Sequence, residues 1–133
     1  PMQLYYYSLT GQTRRLAKKL ELPINEITDD NPYIDVSDAF VLIIPTYAES
    51  DNGRKYSQSI LDAVFDFIEH NDNASKCVGI VGSGNLNFAD LFCWSAHEIS
   101  QQHNIPVLAE VEFSGTPADI ETIKMKIKEL GAL

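Results

Sequence analysis

Residues 39–45, Ala39-Phe40-Val41-Leu42-Ile43-Ile44-Pro45, run almost without a polar side chain. A strand with one wet face alternates apolar and polar residues, so this strand is expected to be buried on both faces. Strands of that kind belong to parallel sheets with helices on either side. Outward from it, four more short apolar runs alternate with helical patterns. Upstream lie a first strand, about Gln3–Tyr7, a helix from about Thr13 to Leu20, and a weak second strand near Ile24–Ile27. Downstream, Ile60, Leu61, Val64, Phe65 and Ile68 make one apolar stripe on a helix over about Ser57–His70. A fourth strand, Lys76–Val81, enters a turn rich in Gly and Asn, followed by a helix from about Phe88 to His103 and a fifth strand, Val107–Phe113. The last helix has a clear start. Thr116 is its cap, Pro117 its first residue, and Asp119 completes a capping box, with Ile120, Ile123, Ile127 and Leu130 along one face.

Strands alternating with helices predict an α/β fold, a parallel sheet with right-handed crossovers and helices on both sides. The one break is Thr28–Asp38, which contains Asn31-Pro32 and is too short and broken for a crossover helix. The 133 residues are expected to form a single domain, 1–133, with a core that needs no disulfide or metal. A hydrophobic fraction of 44% and a charged fraction of 22% describe an ordinary globular chain. No apolar run is long enough to span a membrane and no basic-then-apolar leader is visible, which points to the cytoplasm and away from a membrane partner. Cys77 and Cys93 are too far apart for a Cys-x-x-Cys pair and read as small buried hydrophobes; no metal site is expected. A net charge of −9 argues against nucleic acid. It does not argue against a phosphate held by backbone N–H groups.

Ligands of open α/β sheets sit beyond the carboxyl ends of the strands, so the residues after strands one, three and four carry the chemistry. After strand one, Ser8-Leu9-Thr10-Gly11-Gln12-Thr13 gathers three hydroxyls and a glycine at a helix N-terminus. This suits a phosphate, without the Gly-Lys-Ser/Thr of a nucleoside triphosphate loop, although a polar turn with its cap has the same composition. After strand three comes Pro45-Thr46-Tyr47-Ala48-Glu49-Ser50-Asp51-Asn52-Gly53, where an aromatic stands ready to stack on a planar ring or simply lies in a solvated loop. After strand four comes Gly82-Ser83-Gly84-Asn85-Leu86-Asn87-Phe88, which offers close backbone approach, amide donors and acceptors and a second aromatic, or a plain strand–helix connection. Three such loops at one sheet edge favour the ligand reading. His70, His97 and His103 lie in helical segments with no companion carboxylate or cysteine pattern, and no side-chain nucleophile or acid–base pair is expected.

Ser8-x-Thr10-Gly11-x-Thr13 resembles the phosphate loop of flavodoxins. Ser83-Gly84-Asn85-Leu86-Asn87-Phe88, Pro45-Thr46-Tyr47 and Gly115-Thr116 together resemble a narrower group, the NrdI family of flavodoxin-like accessory proteins of class Ib ribonucleotide reductase. With the clipped strand-two connection, the resemblance covers essentially the whole chain. It implies a flavodoxin-like doubly wound sheet of five parallel strands in the order 2-1-3-4-5. It implies FMN as cofactor, held by Ser8, Leu9, Thr10, Gly11, Gln12, Thr13, Thr46, Tyr47, Ala48, Glu49, Asn52, Gly53, Ser83, Gly84, Asn85, Asn87 and Phe88. Reduced FMN would convert O₂ to superoxide or a related oxidant for the radical-bearing small subunit of the reductase, and a separate electron donor would recharge it. The protein would act as an activase or electron carrier without catalytic side chains of its own, and as a monomer when alone.

One departure stands out. Many relatives have a glycine run after the strand-three tyrosine, where this chain has Ala48-Glu49-Ser50. Less glycine means less backbone freedom beside the flavin ring, and Glu49 adds negative charge near a ring that becomes anionic on reduction. Two alternatives share part of the pattern. A general electron-transfer flavodoxin usually has an acidic residue and a longer loop where Asn85–Phe88 lie. A receiver domain would end strand three in aspartate and strand one in acidic residues, where this chain reads Pro45-Thr46 and Ser8-Leu9.

Overall fold

The computed structural model describes residues 2–45, 61–85 and 93–131. Five strands, β1 (Gln3–Tyr6), β2 (Ile24–Glu26), β3 (Phe40–Pro45), β4 (Cys77–Gly84) and β5 (Val107–Glu112), form one parallel sheet in the order β2-β1-β3-β4-β5. This is the predicted architecture. The described helices are α1 (Gln12–Lys19), α2 (Asp62–Glu69), the single turn α3 (Asn73–Lys76), α4 (Trp94–His103) and α5 (Pro117–Gly131).

The apolar run that opens the sequence reading divides by period 2. Phe40, Leu42 and Ile44 face one core with α2 and α4, while Val41 and Ile43 face the other with α1 and α5. β1 divides in the same way, Tyr5 and Tyr7 against Leu4 and Tyr6. On the first face Tyr5, Phe40 and Phe67 pack with ring centroids 5.2–5.7 Å apart. Leu61, Val64, Phe65 and Ile68 are buried there as the stripe requires, and Ile60 lies outside the described residues. On the second face Ile120, Ile123 and Ile127 are buried, with Leu130 partly so. The capping box forms as read: Asp119 N–H donates to Thr116 Oγ1 and Thr116 N–H to Asp119 Oδ2.

The 28–38 stretch holds no helix among its described residues. Buried Asn73 ties it down instead. Its Nδ2 donates to the carbonyls of Ile34 and Phe67, and its Oδ1 accepts from Val36 N–H. Lys76 Nζ adds a bond to Val36 O. A backbone without a ladder partner needs such side-chain substitutes when it is buried.

Several boundaries differ from the sequence reading: β1, β2 and β5 end one residue early, at Tyr6, Glu26 and Glu112. β4 does not stop at Val81 but continues through Gly82, Ser83 and Gly84, which the composition marks as a turn. Gly82 and Gly79 serve contact, not turning. A Cβ on Gly82 would stand 3.0 Å from Cys93 Cβ and 3.1 Å from Ala96 Cβ, so α4 lies directly on the strand. A Cβ on Gly79 would meet the Leu108 side chain at 2.5–2.9 Å.

Candidate functional site

All five strands are parallel, so their carboxyl ends share one edge. Pairing sets the heights: Tyr6 is level with Ile43, Pro45 with Ser83, Ser83 with Val111 and Gly84 with Glu112. The carboxyl ends of β1, β3 and β4 therefore lie side by side along that edge.

The loop after β1 turns on Gly11, whose φ of +92° lies where an L side chain is strained. Gly11 is the N-cap of α1 and has no side chain to cap with, so Ser8 takes that role. Ser8 Oγ accepts from Gly11 N–H at 3.0 Å and, more loosely, from Arg14 N–H at 3.4 Å. The first-turn N–H groups of Gln12 and Thr13 have no intrahelical acceptor and point out of the helix N-terminus. Leu9 and Thr10 are exposed, Gly11 and Gln12 half-buried, and Thr13 buried. Arg14 is not part of this cradle's charge, because its guanidinium pairs with Glu26 at 2.7 Å.

The donor set is thus backbone N–H groups and hydroxyls, and a Cβ on Gly11 would meet no atom within 4 Å. Open space before a helix N-terminus with neutral donors fits a terminal phosphate group. Among the described residues no cluster of three or more His, Cys, Asp or Glu gathers to hold a metal ion.

β3 ends at Pro45, whose carbonyl accepts from Ser95 Oγ at 2.8 Å. Ser95 is fully buried on α4 and escapes the sequence reading, where a serine beside Ala96 and Ile99 on an apolar face was its only signal. Thr46, Tyr47, Ala48, Glu49, Asn52 and Gly53 lie outside the described residues, as do Asn87 and Phe88. Of the third loop the structure describes Ser83, Gly84 and Asn85. Ser83 is 3% exposed and its hydroxyl donates to Phe113 O at 2.5 Å. Phe113, also missed from sequence, stands 48% exposed just past β5.

The surroundings are acidic. Glu110 and Glu112 are level with Gly82 and Gly84 on the neighbouring strand. Burial first, and the Glu110 charge second, push the Cys93 thiol up to about 12, and burial does the same for Cys77. Both cysteines are free and buried, as read. Burial, then the bond to Asp29 Oδ1 at 2.7 Å, raises the Tyr7 hydroxyl to about 12 and fixes the end of β1 against the 28–38 stretch. Two histidines do have carboxylate companions, contrary to the sequence expectation. His70 Nε2 lies 2.9 Å from Asp35 Oδ1, and His97 pairs with Glu110. The carboxylates come from distant parts of the chain, which local spacing cannot reveal. Beside the second pair, the Cys93 thiol feels the Glu110 charge, and burial keeps it protonated.

A five-stranded parallel sheet in the order 2-1-3-4-5 with helices on both faces defines a flavodoxin-like fold. Solved structures agree on the fold. An oxidised flavodoxin 2 from Bacillus cereus superposes with a TM-score of 0.67 at 19% identity over 99% of both chains. A Streptococcus pneumonia TIGR4 flavodoxin gives 0.66 at 22% identity over 98% of this chain and 97% of that one. Residues 4–125 match the family described as NrdI flavodoxin-like. Protein NrdI of Streptococcus pyogenes serotype M1 is 35% identical over 121 residues, 91% of this chain and 74% of that protein. The chain belongs to the NrdI flavodoxin-like family, whose cofactor is FMN.

Proposed function

We propose that this chain holds FMN across the three loops and serves as the redox accessory of a ribonucleotide reductase small subunit. The observation that carries the reading is the Ser8–Thr13 cradle, opening at the edge where Pro45 and Gly84 end their strands. Ser8 fixes the turn, Gly11 permits it, and the N–H groups of Gln12 and Thr13 with the hydroxyls of Thr10 and Thr13 receive the phosphate. By sequence, Tyr47 and Phe88 offer ring faces, while Thr46, Ala48, Glu49, Asn52, Gly53, Asn85 and Asn87 offer polar or backbone contacts to the ring edge. FMN held there would supply the redox chemistry, the transfer of electrons from a donor to O₂ that would yield superoxide or a related oxidant for the partner's radical site. The protein's part is binding, orientation and charge. We place this work in the cytoplasm, where two buried free thiols are stable.

The test combines FMN-loaded, prereduced protein, O₂ and the radical-bearing subunit from the same source, with radical yield read by electron paramagnetic resonance. Radical formation that requires both the reduced protein and O₂ supports the role. Radical yield independent of either one overturns it in favour of a general electron-transfer flavodoxin.

A further inference from the structure

The chain leaves β5 through a turn with two left-handed residues, Phe113 at φ +53° and Gly115 at φ +80°. Glycine accepts this readily, but an aromatic residue does so only when its surroundings hold it. From the β4 side, Phe113 N–H donates to Gly84 O at 3.0 Å, and Ser83 Oγ donates to Phe113 O at 2.5 Å. Within the turn, Gly115 N–H donates to Glu112 O at 2.9 Å. From the α1 side, Lys19 Nζ reaches Ser114 O and Ser114 Oγ at 3.2 Å and Gly115 O at 3.4 Å. A Cβ on Gly115 would lie 3.4 Å from Leu16 Cδ1, so the turn sits directly on α1. The 113–115 turn is therefore wedged between the end of β4 and the helix whose N-terminus forms the phosphate cradle.

We infer that Ser83 is a positioning residue, which braces the β4 loop against the phosphate helix through the Phe113 carbonyl. This rests on the FMN reading. A hydroxyl has one proton, and that of Ser83 is committed to Phe113 O, in a side chain shut away from solvent. Ser83 thus acts on the cofactor at one remove. It holds Gly84 and Asn85, which carry the ring-edge contacts, at a set distance from the Ser8–Thr13 cradle, which carries the phosphate. A rigid ligand spanning both loops binds well only if that distance is fixed in advance.

Ser83→Ala removes the donor, and Ser83→Thr keeps a hydroxyl on a side chain suited to a strand. In the FMN-free protein, amide hydrogen exchange at Phe113 and Gly115 should quicken in Ser83→Ala and stay near wild type in Ser83→Thr. FMN should bind Ser83→Ala about tenfold more weakly, with a shifted flavin midpoint potential, and Ser83→Thr should recover both. A Ser83→Ala protein with a lowered Tm but unchanged FMN affinity and potential reduces Ser83 to a structural role and overturns the inference. If Ser83→Ala does not fold, Lys19→Ala loosens the exposed end of the same brace. It should speed exchange at Gly115 and weaken FMN binding, and no change in either also overturns the inference. Wild-type protein that binds no FMN refutes the proposed function instead, while the exchange data still report on the brace.

Discussion

Gly11→Ala probes the cradle with little else disturbed. At φ +92° and ψ −11° Gly11 lies beyond the ordinary left-handed well, and nothing stands within 4 Å of a Cβ placed there. The substitution therefore brings no clash, and its whole cost is backbone strain of about 1–2 kcal/mol. For a chain of this length that lowers Tm by about 4–7 °C. Relaxing φ toward negative values would turn Gly11 N–H away from Ser8 Oγ and rotate the first turn of α1. Losing even one charge-assisted bond to a phosphate costs about 1.5–3 kcal/mol, so FMN should bind about tenfold or more weakly. Gly11→Asn should lose less of both, since asparagine tolerates left-handed backbone. Thermal unfolding of the FMN-free protein and fluorescence titration with FMN measure the two effects. An alanine variant with wild-type Tm and affinity would refute the geometry assigned to this loop.

Four further outcomes are expected. Thr10→Val removes an exposed hydroxyl from the cradle and should weaken FMN about tenfold in the same titration, with Tm unchanged. Gly82→Ala places a Cβ about 3.0 Å from Cys93 and Ala96, and should destabilise by roughly 1–3 kcal/mol in denaturant unfolding as α4 is pushed outward. Asn71 first and His70 second hold the Asp35 carboxyl below its usual range, so Asp35→Asn should destabilise at pH 7. That difference should fade as pH falls below about 4 and through the lowered folded value, as followed by thermal melts across pH. For the partner, Glu49→Lys assayed at saturating FMN should still reduce radical formation, a loss beyond any change in FMN affinity. On the final helix Lys126 is a poor neutral control, because its Nζ donates to Leu108 O at 2.7 Å, and exposed Lys128→Glu should leave radical yield unchanged.

Much of the fold is legible in the sequence because its signals are local. The unbroken Phe40–Ile44 run reads as a strand buried on both faces, and Thr116-Pro117-x-Asp119 marks a helix start within four residues. The Ser8–Gly11 turn that opens α1 is legible for the same reason, since a cap, a glycine and a helix start are neighbours in the chain. What sequence misses depends on contacts between distant residues. Gly82 looks like turn chemistry, yet it is strand backbone flattened for Cys93 and Ala96 of α4. Ser95 and Ser83 look like minor polar residues until their hydroxyls are found on the carbonyls that end β3 and begin the β5–α5 turn. Asn73, which holds the 34–36 backbone, is equally silent.

The central claim is that the Ser8–Thr13 loop recognises the phosphate of FMN, and the most direct measurement is a paired titration of the flavin-free protein with FMN and with riboflavin. The two ligands share the ring and differ in the phosphate. At least two charge-assisted bonds to that group would make FMN roughly a hundredfold or more tighter. Equal affinities for the two, or binding of neither, would contradict the account.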